Sequence, residues 1–157
     1  MLEIKVESNT ITPALNALAA KLGNLSPLMK DIAGIMEAGV EDNFDRQGIP
    51  AWDALSPVTI KRREKQGKWP GKMLQVTGQL ASSVTSDFDA GSAVVGTNDV
   101  RAKTLHFGAN KGAFGKTKRG APIPWGNIPA RPFMALSAGA IGDITRAIRE
   151  FAKPPGR

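Results

Sequence analysis

Leu28, Ile32, Ile35, Met36, Val40 and Phe44 recur at intervals of one, three and four residues. That spacing puts them on one face of an α-helix, and so broad an apolar stripe must be buried against something. Ser26 and Pro27 punctuate its start: a side chain suited to capping, then a residue tolerated in the first turn. The stretch "DRQGIP" at 45–50 stops it. The same device occurs upstream, where Thr12 and Pro13 precede Leu15, Leu18 and Leu22 and Gly23 closes the segment. The two segments read as two helices, or as one long helix broken near Gly23–Asn24. A third Ser-Pro pair, Ser56–Pro57, opens a short basic helix that Gly67 ends.

Elsewhere the period changes. Leu2, Ile4 and Val6 alternate with charged residues, the pattern of a half-buried strand. Residues 83–88 and 92–95 read as two strands joined by Asp89-Ala90-Gly91. "RAKTLHFGA" at 101–109 fits no single element. Residues 109–126 are rich in Gly, Lys and Pro and read as a long, mobile, basic loop. Ile141, Ile144, Ala147, Ile148 and Phe151 mark a last amphipathic helix before a loose tail. The expectation is an α+β fold in a single domain over 1–153, with N-terminal helices and a C-terminal helix packed on a small antiparallel sheet. The basic loop occupies 109–126, and 154–157 form a disordered tail.

A chain of 157 residues suits one such domain. It has no cysteine, which excludes disulfides and thiol chemistry. "MLEIKVESNT" lacks the basic and apolar regions of a secretory signal, and no apolar run approaches the ~20 residues of a membrane span. The chain is therefore expected to act without a membrane. The net charge of +7 is uneven: residues 1–50 hold four Lys/Arg against seven Asp/Glu, and 101–157 hold eleven against two. An acidic end and a basic end fit either nucleic acid or another copy docked head to tail.

The usual chemistry is poorly supplied. His106 is the only histidine, and the carboxylates Glu41, Asp42 and Asp45 fall on a helix, where they read as a solvated face rather than a metal site. Ser82 and Ser83 lack the strained glycine elbow of a hydrolase, so a triad with His106 is disfavoured. Gly115-Lys116-Thr117 resembles the end of a phosphate-binding loop, but Asn110 stands where the first glycine is required. No cofactor is implied. Lys111, Lys116, Lys118 and Arg119, near Phe114 and Trp125, form a basic contact loop suited to phosphates and bases or to an acidic protein surface. The acidic N-terminal half favours protein. Lys61, Arg62, Arg63 and Lys65 read as a solvated helix.

Five motifs in order then carry a resemblance: "WDALSPVTIK" (52–61), "MLQVTGQLASSV" (73–84), "VVGTN" (94–98), "LHFG" (105–108) and "IPARPFM" (128–134). Together they resemble the virion morphogenesis or tail completion proteins of tailed bacteriophages and Mu-like prophages. The resemblance implies assembly rather than catalysis: a small α+β protein at the head–tail joining end of the particle, made in the host bacterial cytoplasm and carried into the virion. Its partners would be itself, as an oligomeric ring, and other tail or connector proteins. A basic nucleic-acid-binding module using 101–157 is the alternative. The shared structural signature would be Trp52, Leu55, Thr59, Leu74, Gly78, Leu80, His106, Phe107, Gly108, Arg131, Pro132 and Phe133.

The last motif has its own physics. Pro129 and Pro132 each fix their own φ and push the preceding residue out of the helical region. The segment is expected to enter the last helix as an extended strand, with Phe133 and Met134 on opposite faces. Arg131 would then be aimed at a carboxylate or at carbonyls, either inside the chain or, as preferred, across a subunit contact.

Overall fold

The fold, given by a computed structural model, is described for residues 2–5, 16 and 22–152. The expected helix after Thr12–Pro13, the side chain of Val6 and the tail at 154–157 lie outside them, apart from Asn16 and Leu22.

Helix α1 (Ser26–Arg46) is the central element. Ser26 is the first helical residue rather than the cap: the cap position is Leu25, which makes no side-chain cap bond, and just outside it the Asn24 side-chain oxygen accepts the Ser26 N–H at 3.0 Å. Leu28, Met29, Ile32, Ala33, Met36, Gly39, Val40, Asn43 and Phe44 are buried along one side. The helix ends as Gln47 turns to a left-handed φ of 59° and the Gly48 N–H reaches back to the Asn43 carbonyl at 2.8 Å. Gly48, at φ 104°, has no room for a side chain, because a Cβ there would lie 2.4 Å from Cδ1 of Trp52.

Against α1 lies a three-stranded antiparallel sheet of β1 (Leu2–Lys5), β2 (Val84–Phe88) and β3 (Ala93–Thr97), ordered β1-β3-β2. Val84 pairs with Thr97 and Phe88 with Ala93. The expected turn is present, and Asp89 builds it: its carboxylate accepts the N–H groups of Gly91 and Ser92, both at 2.7 Å. Ala93 and Val95 point into the core.

Short helices α2 (Pro57–Lys65), α3 (Gln79–Ser82) and α4 (Ala102–Phe107) fill the connections. Ser56 caps α2 as expected, and Gly67, at φ 63°, closes it with the Gly67 and Lys68 N–H groups bonded to the carbonyls of Glu64 and Arg63. The undecided stretch 101–109 is largely α4, whose six residues are too few to show a period.

Helix α5 (Ala138–Phe151) packs on α1. The Ser137 hydroxyl accepts the Ala140 N–H at 3.1 Å. A Cβ on Gly39 would sit 3.2 Å from that of Ala140, so the glycine allows this close approach. Ile144 is buried, whereas Ile141, expected on the buried stripe, faces solvent. The architecture is α+β: among the described residues β1 comes first in the chain, α1 packs on one small antiparallel sheet, and α5 comes last.

Candidate functional site

The signature residues divide between the core and its edge. Trp52 is 7% exposed and meets Phe44 edge-on, with ring centroids 6.2 Å apart. Phe44 meets Phe133 at 5.2 Å, and Phe133 meets His106 edge-on at 5.3 Å. Trp52, Phe133 and His106, from three separate motifs, thus form one aromatic chain with Phe44 as its inner link. Leu80 is buried, and Leu55 and Leu74 are half-buried. Thr59 works locally, its hydroxyl 2.9 Å from that of Ser56 in the cap of α2. Gly78 precedes α3 at φ 71°.

Arg131 is only 5% exposed. Its Nη2 donates to the Asp53 carbonyl at 3.0 Å, and its backbone N–H donates to the carbonyl of Leu105 at 2.9 Å. Burial pushes the guanidinium pKa below its ordinary value; the charge of Asp53 opposes this and that of Arg63 adds to it. Arg131 therefore ties the entry to α5 to the loop after Trp52, within one chain. The subunit contact preferred from the sequence is replaced by this internal one.

The extended entry also fails at its end. Residues 133–134 form a turn, and Phe133 and Met134 are both fully buried. Strand alternation does not apply there, so neither of these two side chains is left for a neighbour. Pro132 is exposed. Asn43, which the sequence reading passed over, is what holds the turn. It is buried on α1 and its amide nitrogen donates to the carbonyls of Phe133, at 3.2 Å, and of Ala135. Its position three residues after Val40, on the apolar stripe, was the available signal.

Gly108 has a specific task. It sits at φ 74°, and a Cβ there would lie 2.5 Å from the Ile128 carbonyl oxygen and 2.8 Å from the Ala130 nitrogen. The chain leaving α4 crosses the chain entering the last motif with nothing between them. Beside the crossing, Ala109 and Ile128 exchange backbone hydrogen bonds at 2.9 and 2.7 Å. His106 is half-buried; desolvation lowers its pKa, and its Nδ1 has no hydrogen-bond partner among the described residues. Phe107 is 63% exposed. Ser83, the candidate nucleophile, spends its hydroxyl on the Leu80 carbonyl at 2.7 Å and on Thr97 at 2.6 Å.

From the crossing springs the basic loop, 109–126, as an irregular hairpin. Gly112 N–H bonds to Pro124 O at 3.0 Å, Phe114 N–H to Ile123 O at 2.7 Å and Thr117 N–H to Ala121 O at 2.8 Å. Lys111, Lys116, Lys118 and Arg119 are all exposed on it. So are Phe114, at 57%, and Trp125, at 77%. No helix follows Thr117, and the resemblance to a phosphate loop ends there. Along the other basic run Lys61, Arg62 and Lys65 are exposed. Arg63 is not: it is buried and donates to the Lys72 carbonyl at 3.1 Å, contrary to the solvated reading.

The model of the phage virion morphogenesis family matches residues 6–152 of this chain. The chain belongs to that family. It is similar to the Mu-like prophage FluMu G protein 2 of Haemophilus influenzae, with 37% identity over 152 residues covering 96% of each chain. It is also similar to the putative capsid assembly protein G of Escherichia phage Mu, with 32% identity over 123 residues, 76% of this chain and 74% of that one. No solved structure matches. In this member of the morphogenesis family, the sequence motifs are mostly architecture: they build the aromatic chain, the arginine tie and the glycine crossing. The exposed chemistry lies on the hairpin that these devices hold.

Proposed function

We propose that this chain is a non-enzymatic virion assembly protein that acts in tail completion or head–tail joining, as an oligomeric ring. It works in the host bacterial cytoplasm during assembly and then forms part of the particle. Its partners are further copies of itself and other phage tail or connector proteins, and it uses no cofactor. The observation that carries this reading is the contrast at the hairpin. Arg131 and Ser83, polar residues of the motifs, are engaged inside the fold, whereas the aromatic and cationic side chains of 109–126 face outward. Exposed aromatic groups are the usual anchors of a docking surface, and cations beside them steer an acidic partner. The name of the Mu relative, a putative capsid assembly protein, supports the same direction.

The test is a chain with Lys116, Lys118 and Arg119 all changed to alanine. Its circular dichroism and melting temperature should match the unaltered protein, since these side chains make no ion pair among the described residues. In a phage lacking the gene, it should restore far fewer infectious particles than the wild-type chain. A full yield of particles would remove the hairpin from assembly. The same surface could stack bases, so retention on DNA is measured beside it. A large, salt-sensitive loss of DNA binding in the variant, with assembly unharmed, would establish the nucleic-acid module instead.

A further inference from the structure

We propose that the hairpin 109–126 docks on the solvent face of α1 in a second copy of this chain. The inference rests on the assembly reading and names the partner surface. At about 100° per residue, Asp31, Gly34, Ala38, Glu41, Asp42 and Asp45 fall within about 100° of arc on α1. All are exposed except Asp42, which is half-buried. The middle of this face is low and open, because a Cβ added at Gly34 would meet nothing within 4 Å. Carboxylates stand at both ends of that floor. Asp42 pairs with Arg46 at 2.7 Å and Asp45 with Lys72 at 2.6 Å, while Asp31 and Glu41 hold no ion pair among the described residues.

The hairpin has the complementary arrangement. Its exposed rings, Phe114 and Trp125, stand among four exposed cations, none of them ion-paired among the described residues. Exposed ion pairs steer and orient more than they hold, so the carboxylates set the approach. The rings supply the holding contact, seated over the small side chains at Gly34 and Ala38. The two surfaces do not serve each other within one chain. The hairpin base is tied through Phe133 to Phe44 on the buried side of α1, and the acidic strip faces away. An acidic strip repels nucleic acid, which argues for a second copy as occupant. Such a contact is head-to-tail and repeats from copy to copy, the heterologous geometry from which a ring is built when the rotation between copies closes.

The test uses two charge reversals in the full chain: Lys116→Glu with Lys118→Glu on the hairpin, and Asp31→Lys with Glu41→Lys on α1. Molecular mass is measured by sedimentation equilibrium, with circular dichroism to verify folding. Wild type should associate, and each reversed chain should associate at least about tenfold more weakly. An equimolar mixture of the two reversed chains should recover association, as should one chain carrying both reversals. The proposal is overturned if either reversal leaves association unchanged, if the mixture stays monomeric, or if wild type is monomeric throughout. Particle complementation is run in parallel to separate this failure from that of the assembly reading. Particles that need the chain but tolerate both reversals would refute the docking alone; particles that form without the chain would refute the assembly function itself.

Discussion

Arg131 shows how a single side chain can look like a surface feature and serve as an internal tie. Buried, its guanidinium donates through Nη2 to the Asp53 carbonyl while its Nε has no partner among the described residues, and its loss would leave that carbonyl without its donor. Arg131→Ala is therefore expected to destabilise the isolated chain by about 1–3 kcal/mol in chemical denaturation. An unchanged denaturation midpoint would disprove the tie. His106 gives a prediction with a sign. Desolvation holds its folded-state pKa below 6.5, so the unfolded chain takes up its proton first as pH falls. Its contribution is full above about pH 6.5 and is lost on acidification below that value. It is the only histidine, so the melting temperature between pH 7.5 and 5.5 should fall more for wild type than for His106→Gln. Equal slopes would remove His106 as the cause. Neither role was legible in the sequence: burial of one cation among many, or of one imidazole, leaves no periodic trace.

At the scale of elements, legibility followed length and regularity. The stripe from Leu28 to Phe44 marked α1 because a helix of twenty-one residues repeats its period several times. The alternation around Asp89-Ala90-Gly91 gave β2 and β3 for the same reason. Helix α4 is one and a half turns long and could not announce itself. The hairpin reads in sequence as a mobile loop because its hydrogen bonds skip positions around glycines and prolines, so neither strand shows a clean alternation. Gly108 is the element-scale crossing point between these regions. Gly108→Val would drive side-chain atoms into the Ile128 carbonyl and the Ala130 nitrogen from a backbone conformation that valine avoids. The variant should melt well below wild type or fail to accumulate as soluble protein. Gly120→Ala is the control: its Cβ meets nothing within 4 Å, so it carries the cost of the positive φ without a clash and should melt between wild type and Gly108→Val.

For the whole molecule, α1 is shared by every layer: the sheet packs on it, α5 packs on it, and Phe44 anchors the aromatic chain. One shared core implies one cooperative unit. Denaturation followed by tryptophan fluorescence and by far-ultraviolet circular dichroism should trace a single coincident transition. The fluorescence change should come mainly from Trp52, since Trp69 and Trp125 are already exposed. Two separated transitions would show that the chain folds as two units.

The crossing at Gly108 has a mechanical consequence. Both strands of the hairpin leave the body at a pinch fixed by the Ala109–Ile128 bonds, with His106 and Phe133 seated just behind it. A force applied at the tip is borne there, where the hairpin acts as a cantilever clamped at its root. From the root the load divides: the 128–134 arm passes it through Phe133 to Phe44 and into α1, and the other arm passes it along the chain through α4 toward β3. A pull on the arm is thus a pull on the spine of the molecule.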